Sequence, residues 1–146
     1  MVGGQSLDLE GEQRTRSGEP VTMAQLQLIH RLKTGALLRA SMEMGAIAGN
    51  ASPETRASLR AAGEALGLAF QIKDDLLDAT STEAAMGKRV GKDQGKGKIT
   101  YPLLLGLAGA QSELQAATGR ALCLLQSLPN PHSLISLATF LAERSA

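Results

Sequence analysis

The chain has 146 residues, a net charge of +1, 43% hydrophobic residues and only 2% aromatic ones. That length suits one domain, and near-neutral charge with so few rings for bases to stack on argues against a nucleic-acid partner. No apolar run approaches the ~18–20 residues of a membrane span and no signal peptide opens the chain. The single Cys123, in the run Leu122-Cys123-Leu124-Leu125, forms no intramolecular disulfide, is expected to be a buried, inert thiol, and suits a reducing cytoplasm.

Ala, Leu, Gln and Glu are frequent and no stretch alternates like a strand, so the expected fold is all-α. A short first helix should give way to a polar loop over Glu10 to Pro20, which holds two glycines and a proline. Thr22 with Gln25 forms a capping box that starts a helix through about Gly49, with Leu26, Ile29, Ala36, Leu37, Ala40, Met44 and Ile47 on its apolar side. Lys33-Thr34-Gly35 falls inside it. A glycine there costs ~1 kcal/mol relative to alanine, and the threonine can bond back to the i−4 carbonyl and bend the helix. One reading is a glycine tolerated at a close helix crossing. The other is a local break that frees the Lys33 carbonyl and aims its ammonium into the bundle, where it needs an anion. His30 is expected on the surface, with no chemistry, and His132 in a first helical turn. Ser52-Pro53 caps and opens a second long helix, which should end near Asp78 and bury Leu59, Ala62, Leu66, Ala69, Phe70 and Leu77. A third helix begins around Thr100-Tyr101-Pro102 and runs through Leu128, and Asn130-Pro131 opens a fourth. These elements form antiparallel helices with short loops, except between Asp78 and Thr100.

The most informative segment is Phe70-Gln71-Ile72-Lys73-Asp74-Asp75-Leu76-Leu77-Asp78. On a helix, spacings of three and four put Asp74, Asp75 and Asp78 on a shared face. Close to a helix C-terminus, mutual repulsion and the helix dipole together cost ~1–2 kcal/mol, which a divalent cation such as Mg2+ would offset. The bland alternative is a solvated acidic helix end. Downstream, residues 87–98 hold four glycines and five basic residues, enough to fold back over an anion. No Gly-Lys pair there is followed by Ser or Thr, so this is not a Walker A loop. By itself such a stretch is better explained as a solvated linker.

Together these segments resemble a known family. F-Q-x-x-D-D-x-x-D followed by G-K-x-x-G-x-D-Q-x-x-x-K-x-T-Y-P is similar to the second aspartate-rich motif and following loop of trans-type polyprenyl diphosphate synthases, such as farnesyl and geranylgeranyl diphosphate synthases. His30 to Leu37 is similar to their H-x-x-K-T-G-x-L segment, Gly3 to Leu9 to their G-G-Q-x-x-D-L helix, and Leu137 to Arg144 to their C-terminus. The resemblance implies an antiparallel helix bundle of the isoprenoid synthase type, and Mg2+-dependent condensation of an allylic diphosphate with isopentenyl diphosphate in a cytoplasmic homodimer. It assigns Asp74, Asp75 and Asp78 to metal, and Lys33, Lys88 and Lys98 to diphosphate oxygens. The Lys33 carbonyl, Thr34 hydroxyl and Gln71 amide are assigned to the allylic cation, with Gln5 and Asp8 behind them.

The family's first aspartate-rich motif lies upstream of G-G-Q-x-x-D. Residues 1–146 therefore resemble the C-terminal half of one synthase domain, an incomplete bundle expected to be inactive alone. Leu26, Ile29, Leu37, Met44, Leu66 and Phe70 should then lose part of their cover. Two other readings remain open: a truncated, non-catalytic paralogue that binds Mg-diphosphate or a partner subunit, and a helical interaction module whose acidic helix and basic loop merely pair.

Overall fold

A computed structural model describes residues 1–86 and 98–144, with side chains for 1–80 and 98–144. All regular elements among the described residues are helical: α1 (Val2–Arg16), α2 (Met23–His30), a π-turn (Arg31–Gly35), α3 (Ala36–Ala48), α4 (Pro53–Met86), α5 (Tyr101–Gln126) and α6 (His132–Glu143). Helix α4 is the spine, with α3 and the π-turn packed along one side and α5 along another. One core joins α2, α4 and α5 through Leu26, Ala69, Ile72, Leu76, Tyr101 and Leu114. A second joins α4, α5 and α6 through Ala62, Leu66, Ala121, Leu125 and Ala138. No helix among the described residues is long and apolar enough to cross a membrane.

Several helix starts follow the local chemistry. The Thr22 hydroxyl accepts from Gln25 N–H at 3.3 Å, while Gln25 Oε1 accepts from Thr22 N–H at 2.8 Å. Ser52 accepts from Thr55 N–H at 3.2 Å ahead of Pro53, and Thr100 accepts from Leu103 N–H at 3.3 Å. Each satisfies a donor that has no partner within its helix.

Four expectations are corrected. Helix α1 does not stop before Glu10. It runs to Arg16, with Ser6 paired to Glu10 and Glu12 to Arg16 on its exposed side. Its Gly11 is no loop residue but a buried point where a Cβ would lie 2.8 Å from the Ile99 side chain. Two residues past its end, Gly18 takes a left-handed φ of 79° and turns the chain away. Helix α4 continues past Asp78 to Met86. The Thr80 hydroxyl donates to the carbonyls of Leu76 and Leu77 at 3.0 and 3.1 Å, so Thr80 stays inside the helix. Cys123 is exposed, because Ala121 and Leu125 hold the inward positions of that turn and leave position 123 on the opposite side. Lastly, of the residues expected to lose cover, Leu26, Ile29 and Leu66 are buried between helices of this chain, while Leu37 and Met44 on α3 are exposed as expected; further apolar side chains are exposed at Val2 and Leu9 on α1, Leu103 on α5 and Phe140 on α6.

Candidate active site

The expected helix break at Lys33 is a π-turn, a one-residue widening of the helix of a kind found often at functional sites. It is held by close backbone contact on two sides. A Cβ at Gly4 of α1 would fall 2.3 Å from the Lys33 nitrogen, and one at Gly67 of α4 would fall 2.4 Å from the Gly35 Cα. Helix α1 also holds the side chain of Lys33, whose Nζ lies 2.5 Å from Asp8 Oδ2. Asp8 is thus the anion that a part-buried lysine needs.

Beside the π-turn, α4 and the residues entering α5 close a cavity of about 360 Å³ lined by Asp8, His30, Lys33, Thr34, Phe70, Gln71, Asp74, Asp75, Asp78, Lys98 and Ile99. It gathers Lys33, Thr34, Gln71, Lys98 and all three aspartates, from segments up to 65 residues apart. Lys88 lies outside the described residues. Gln5 is exposed on α1 and does not line the cavity.

The three aspartates are not equivalent. Asp74 and Asp78 have side chains 39% and 68% exposed, four residues apart on α4, and each meets a cation. Asp78 Oδ2 lies 3.4 Å from Lys98 Nζ, and Asp74 Oδ1 contacts Arg144 Nη2, whose guanidinium is also stacked 3.9 Å from the Phe70 ring centroid. Asp75 is only 4% exposed and accepts the Tyr101 N–H on Oδ2 at 3.0 Å. The resemblance grouped it with its neighbours as a metal ligand; here the packing of α5 on α4 holds it against the Tyr101 N–H at the cavity wall. The helix dipole also drops out as a cost, since it fades within the last turn and Asp74 lies twelve residues before Met86. What remains is repulsion between Asp74 and Asp78, which Arg144 and Lys98 relieve.

No group of three or more potential metal ligands from His, Cys, Asp and Glu occurs among the described residues. Two carboxylates beside two lysines do fit a metal that arrives with its own oxyanion. Mg2+ is commonly held by one or two carboxylates and completes its shell with water and phosphate oxygens.

The comparisons with known proteins agree with this geometry. A family model described as polyprenyl synthetase matches residues 1–123. The chain belongs to the polyprenyl synthetase family. It is 41% identical to a farnesyl diphosphate synthase of Haemophilus influenzae, over 100% of this chain and 48% of that protein. It is 40% identical to one of Escherichia coli, over 99% of this chain and 48% of that protein. Its fold superposes with a TM-score of 0.83 on a heptaprenyl diphosphate synthase from Staphylococcus aureus at 27% identity, covering 99% of this chain and 57% of that one. An FPP/GFPP synthase from Zymomonas mobilis gives a TM-score of 0.78 at 37% identity, covering 97% and 45%. The chain thus spans about half the length of the curated relatives it matches.

One residue of this polyprenyl synthetase segment sits where the sequence did not place it. His30 is buried, its ring 5.6 Å from that of Tyr101 and its Nε2 3.8 Å from Asp75 Oδ2. Burial lowers its pKa to about 4, with Lys33 and Lys98 adding to the shift and Asp8 opposing it. Burial raises Asp75 to about 6, against the pull of the Tyr101 N–H and Lys98. The two groups act on stability with opposite signs. Between about pH 6.5 and 4 the unfolded chain takes a proton at His30 and the folded chain does not, so this contribution is lost on acidification. Between about pH 6 and 3.8 the folded chain takes a proton at Asp75 first, so that contribution grows on acidification. His30→Gln removes the first and leaves the second. The stability gap between wild type and His30→Gln should therefore shrink by roughly 2–3 kcal/mol from pH 7 to pH 4, at about 1.4 kcal/mol per pKa unit. Urea unfolding of both proteins across that range checks it, and a gap that does not change with pH would show that His30 titrates as it does in water.

Proposed function

We propose that this chain supplies the diphosphate-binding half of a prenyltransferase that condenses an allylic diphosphate with isopentenyl diphosphate. The observation that carries this reading is the single cavity in which two cation-binding carboxylates, Asp74 and Asp78, lie with the ammonium groups of Lys33 and Lys98. A diphosphate is the ligand that answers both sets of charge at once. Lys33 and Lys98 would bind its oxygens directly, as charge-assisted hydrogen bonds. Asp74 and Asp78 would hold Mg2+, which when bound neutralises the charge that builds on the departing pyrophosphate. The Lys33 carbonyl, the Thr34 hydroxyl and the Gln71 amide oxygen would present negative dipole ends to the allylic cation. Gln71, three residues before Asp74, shares its side of α4. A homodimer belongs to the same proposal and is supported by the apolar residues exposed on α1 and α3, among them Val2, Leu9, Leu37 and Met44.

The test is calorimetric titration of the 146-residue protein with pyrophosphate, with and without Mg2+. Binding should require both together, because two carboxylates alone make a weak Mg2+ site. Pyrophosphate binding that ignores Mg2+, or none under any condition, favours the interaction-module reading, in which Asp74–Arg144 and Asp78–Lys98 are ordinary ion pairs. The same polypeptide holds one D-D-x-x-D sequence and is expected to release no prenyl product from geranyl and isopentenyl diphosphates. Turnover by protein free of any host synthase would contradict that expectation.

A further inference from the structure

The buried member of the aspartate trio is hydrogen-bonded to a backbone donor, where Asp74 and Asp78 pair with side-chain cations. Its Oδ2 accepts the N–H of Tyr101, the first residue of α5 and 26 positions further along the chain. The first N–H groups of a helix lack partners inside it, and a carboxylate at that end is favoured by the helix dipole. Thr100 takes the N–H of Leu103, so Asp75 reaches from α4 to cap a second donor of the same turn. Ile99 and Tyr101 are both buried in the α2–α4–α5 core. Lys98 comes directly before this fixed pair and stands 3.4 Å from Asp78 at the cavity rim.

We infer that Asp75 is a positioning residue, not a metal ligand: by capping Tyr101 it fixes the start of α5 and with it Lys98 at the mouth of the cavity. The positioning role rests on the proposed diphosphate site; the cap itself does not. An anchor needs only an acceptor oxygen, whereas a metal ligand needs the charge. Asp75→Asn keeps the first and loses the second.

The experiment measures pyrophosphate affinity in excess Mg2+ for the wild type, Asp75→Asn, Asp75→Ala, Asp74→Asn, Lys98→Ala and the double variant Asp75→Ala/Lys98→Ala. Asp75→Asn should bind like the wild type and Asp74→Asn should not. Asp75→Ala should weaken binding roughly tenfold, the scale of a lost charge-assisted hydrogen bond. The double variant should be no weaker than Lys98→Ala, because both changes remove the same contact. Asp75→Asn falling as far as Asp74→Asn, or additive losses in the double variant, would overturn the inference. Hydrogen exchange at the Tyr101 amide provides a reading independent of ligand. It should stay protected in Asp75→Asn and open in Asp75→Ala, and if the alanine variant does not fold, loss of protection in Asp75→Asn alone refutes the cap. Should the wild type bind no Mg-pyrophosphate, the proposed function fails while this exchange measurement still judges the anchor.

Discussion

In a synthase that contains this segment, Asp74→Ala is expected to lower kcat by roughly 10²–10³-fold, or about 3–4 kcal/mol, with a smaller change in KM. The reason lies in when the carboxylate is needed. It sits well inside α4, where the helix supplies neither a favourable nor an unfavourable end. Arg144 now occupies its Oδ1, yet that seat is imperfect, since Arg144 Nε is buried with no hydrogen-bond partner among the described residues. A buried donor left unsatisfied costs about 1–3 kcal/mol, so a metal that arrives with a diphosphate can displace the guanidinium. In the proposed reaction charge would grow on the pyrophosphate as its bond to carbon breaks, and a cation held by Asp74 would act most strongly at that moment. Arg144→Ala should then lower the Mg2+ concentration needed for half-maximal rate, because a competitor for the same oxygen has gone. Asp78→Ala should cost less, as its side chain is 68% exposed and its pairing with Lys98 is screened by water. Small and equal losses at Asp74 and Asp78 would reduce the motif to a solvated helix face.

The parts of this molecule that local chemistry decides were legible in the sequence. Thr22 and Gln25, Ser52 and Pro53, and Thr100 each cap a helix within three residues of themselves, so their partners are written beside them. The break at Lys33-Thr34-Gly35 was legible for the same reason, although its form as a π-turn was not. What stayed hidden depends on helices distant in the chain. His30 looked like a surface residue until Tyr101, 71 positions later, stacked on it. Asp75 looked like Asp74 until α5 settled on one side of α4 and left one carboxylate buried against the Tyr101 N–H and two paired with Lys98 and Arg144. The end of α4 was misplaced because Thr80 can break a helix or bond back into it, and only the observed 3.0 Å contact with the Leu76 carbonyl decides which. Glycine was the most misleading residue. At Gly67 it registers in the sequence only as a propensity cost, while its function is to let another backbone come close.

Gly67→Ala should show that function directly, as a net destabilisation of roughly 2 kcal/mol. A methyl at this position would lie 2.4 Å from the Gly35 Cα and 3.1 Å from its nitrogen, so it meets backbone and no flexible side chain that could move aside. Overpacking of this kind costs about 1–3 kcal/mol and sometimes more, against which alanine regains up to ~1 kcal/mol of helix propensity. Gly45→Ala separates the two terms, because a Cβ there meets nothing and should stabilise α3 by about 0.5–1 kcal/mol. The consequence extends to the site. Gly67 presses on the π-turn one helical turn before Gln71 and two before Asp74 on the same α4. Relief of the clash must therefore push Lys33 and Thr34 away from the groups they face. A displacement near 1 Å can cost about a hundredfold in rate, so Mg-pyrophosphate binding, and turnover in a synthase that contains this segment, should fall more than the stability loss alone explains, at temperatures where the variant is still fully folded. Chemical unfolding of the two alanine variants, paired with their pyrophosphate affinities, decides the matter. If Gly67→Ala matched Gly45→Ala in both, the crossing of α4 over the π-turn would be loose, and it could not be what holds Lys33 in place.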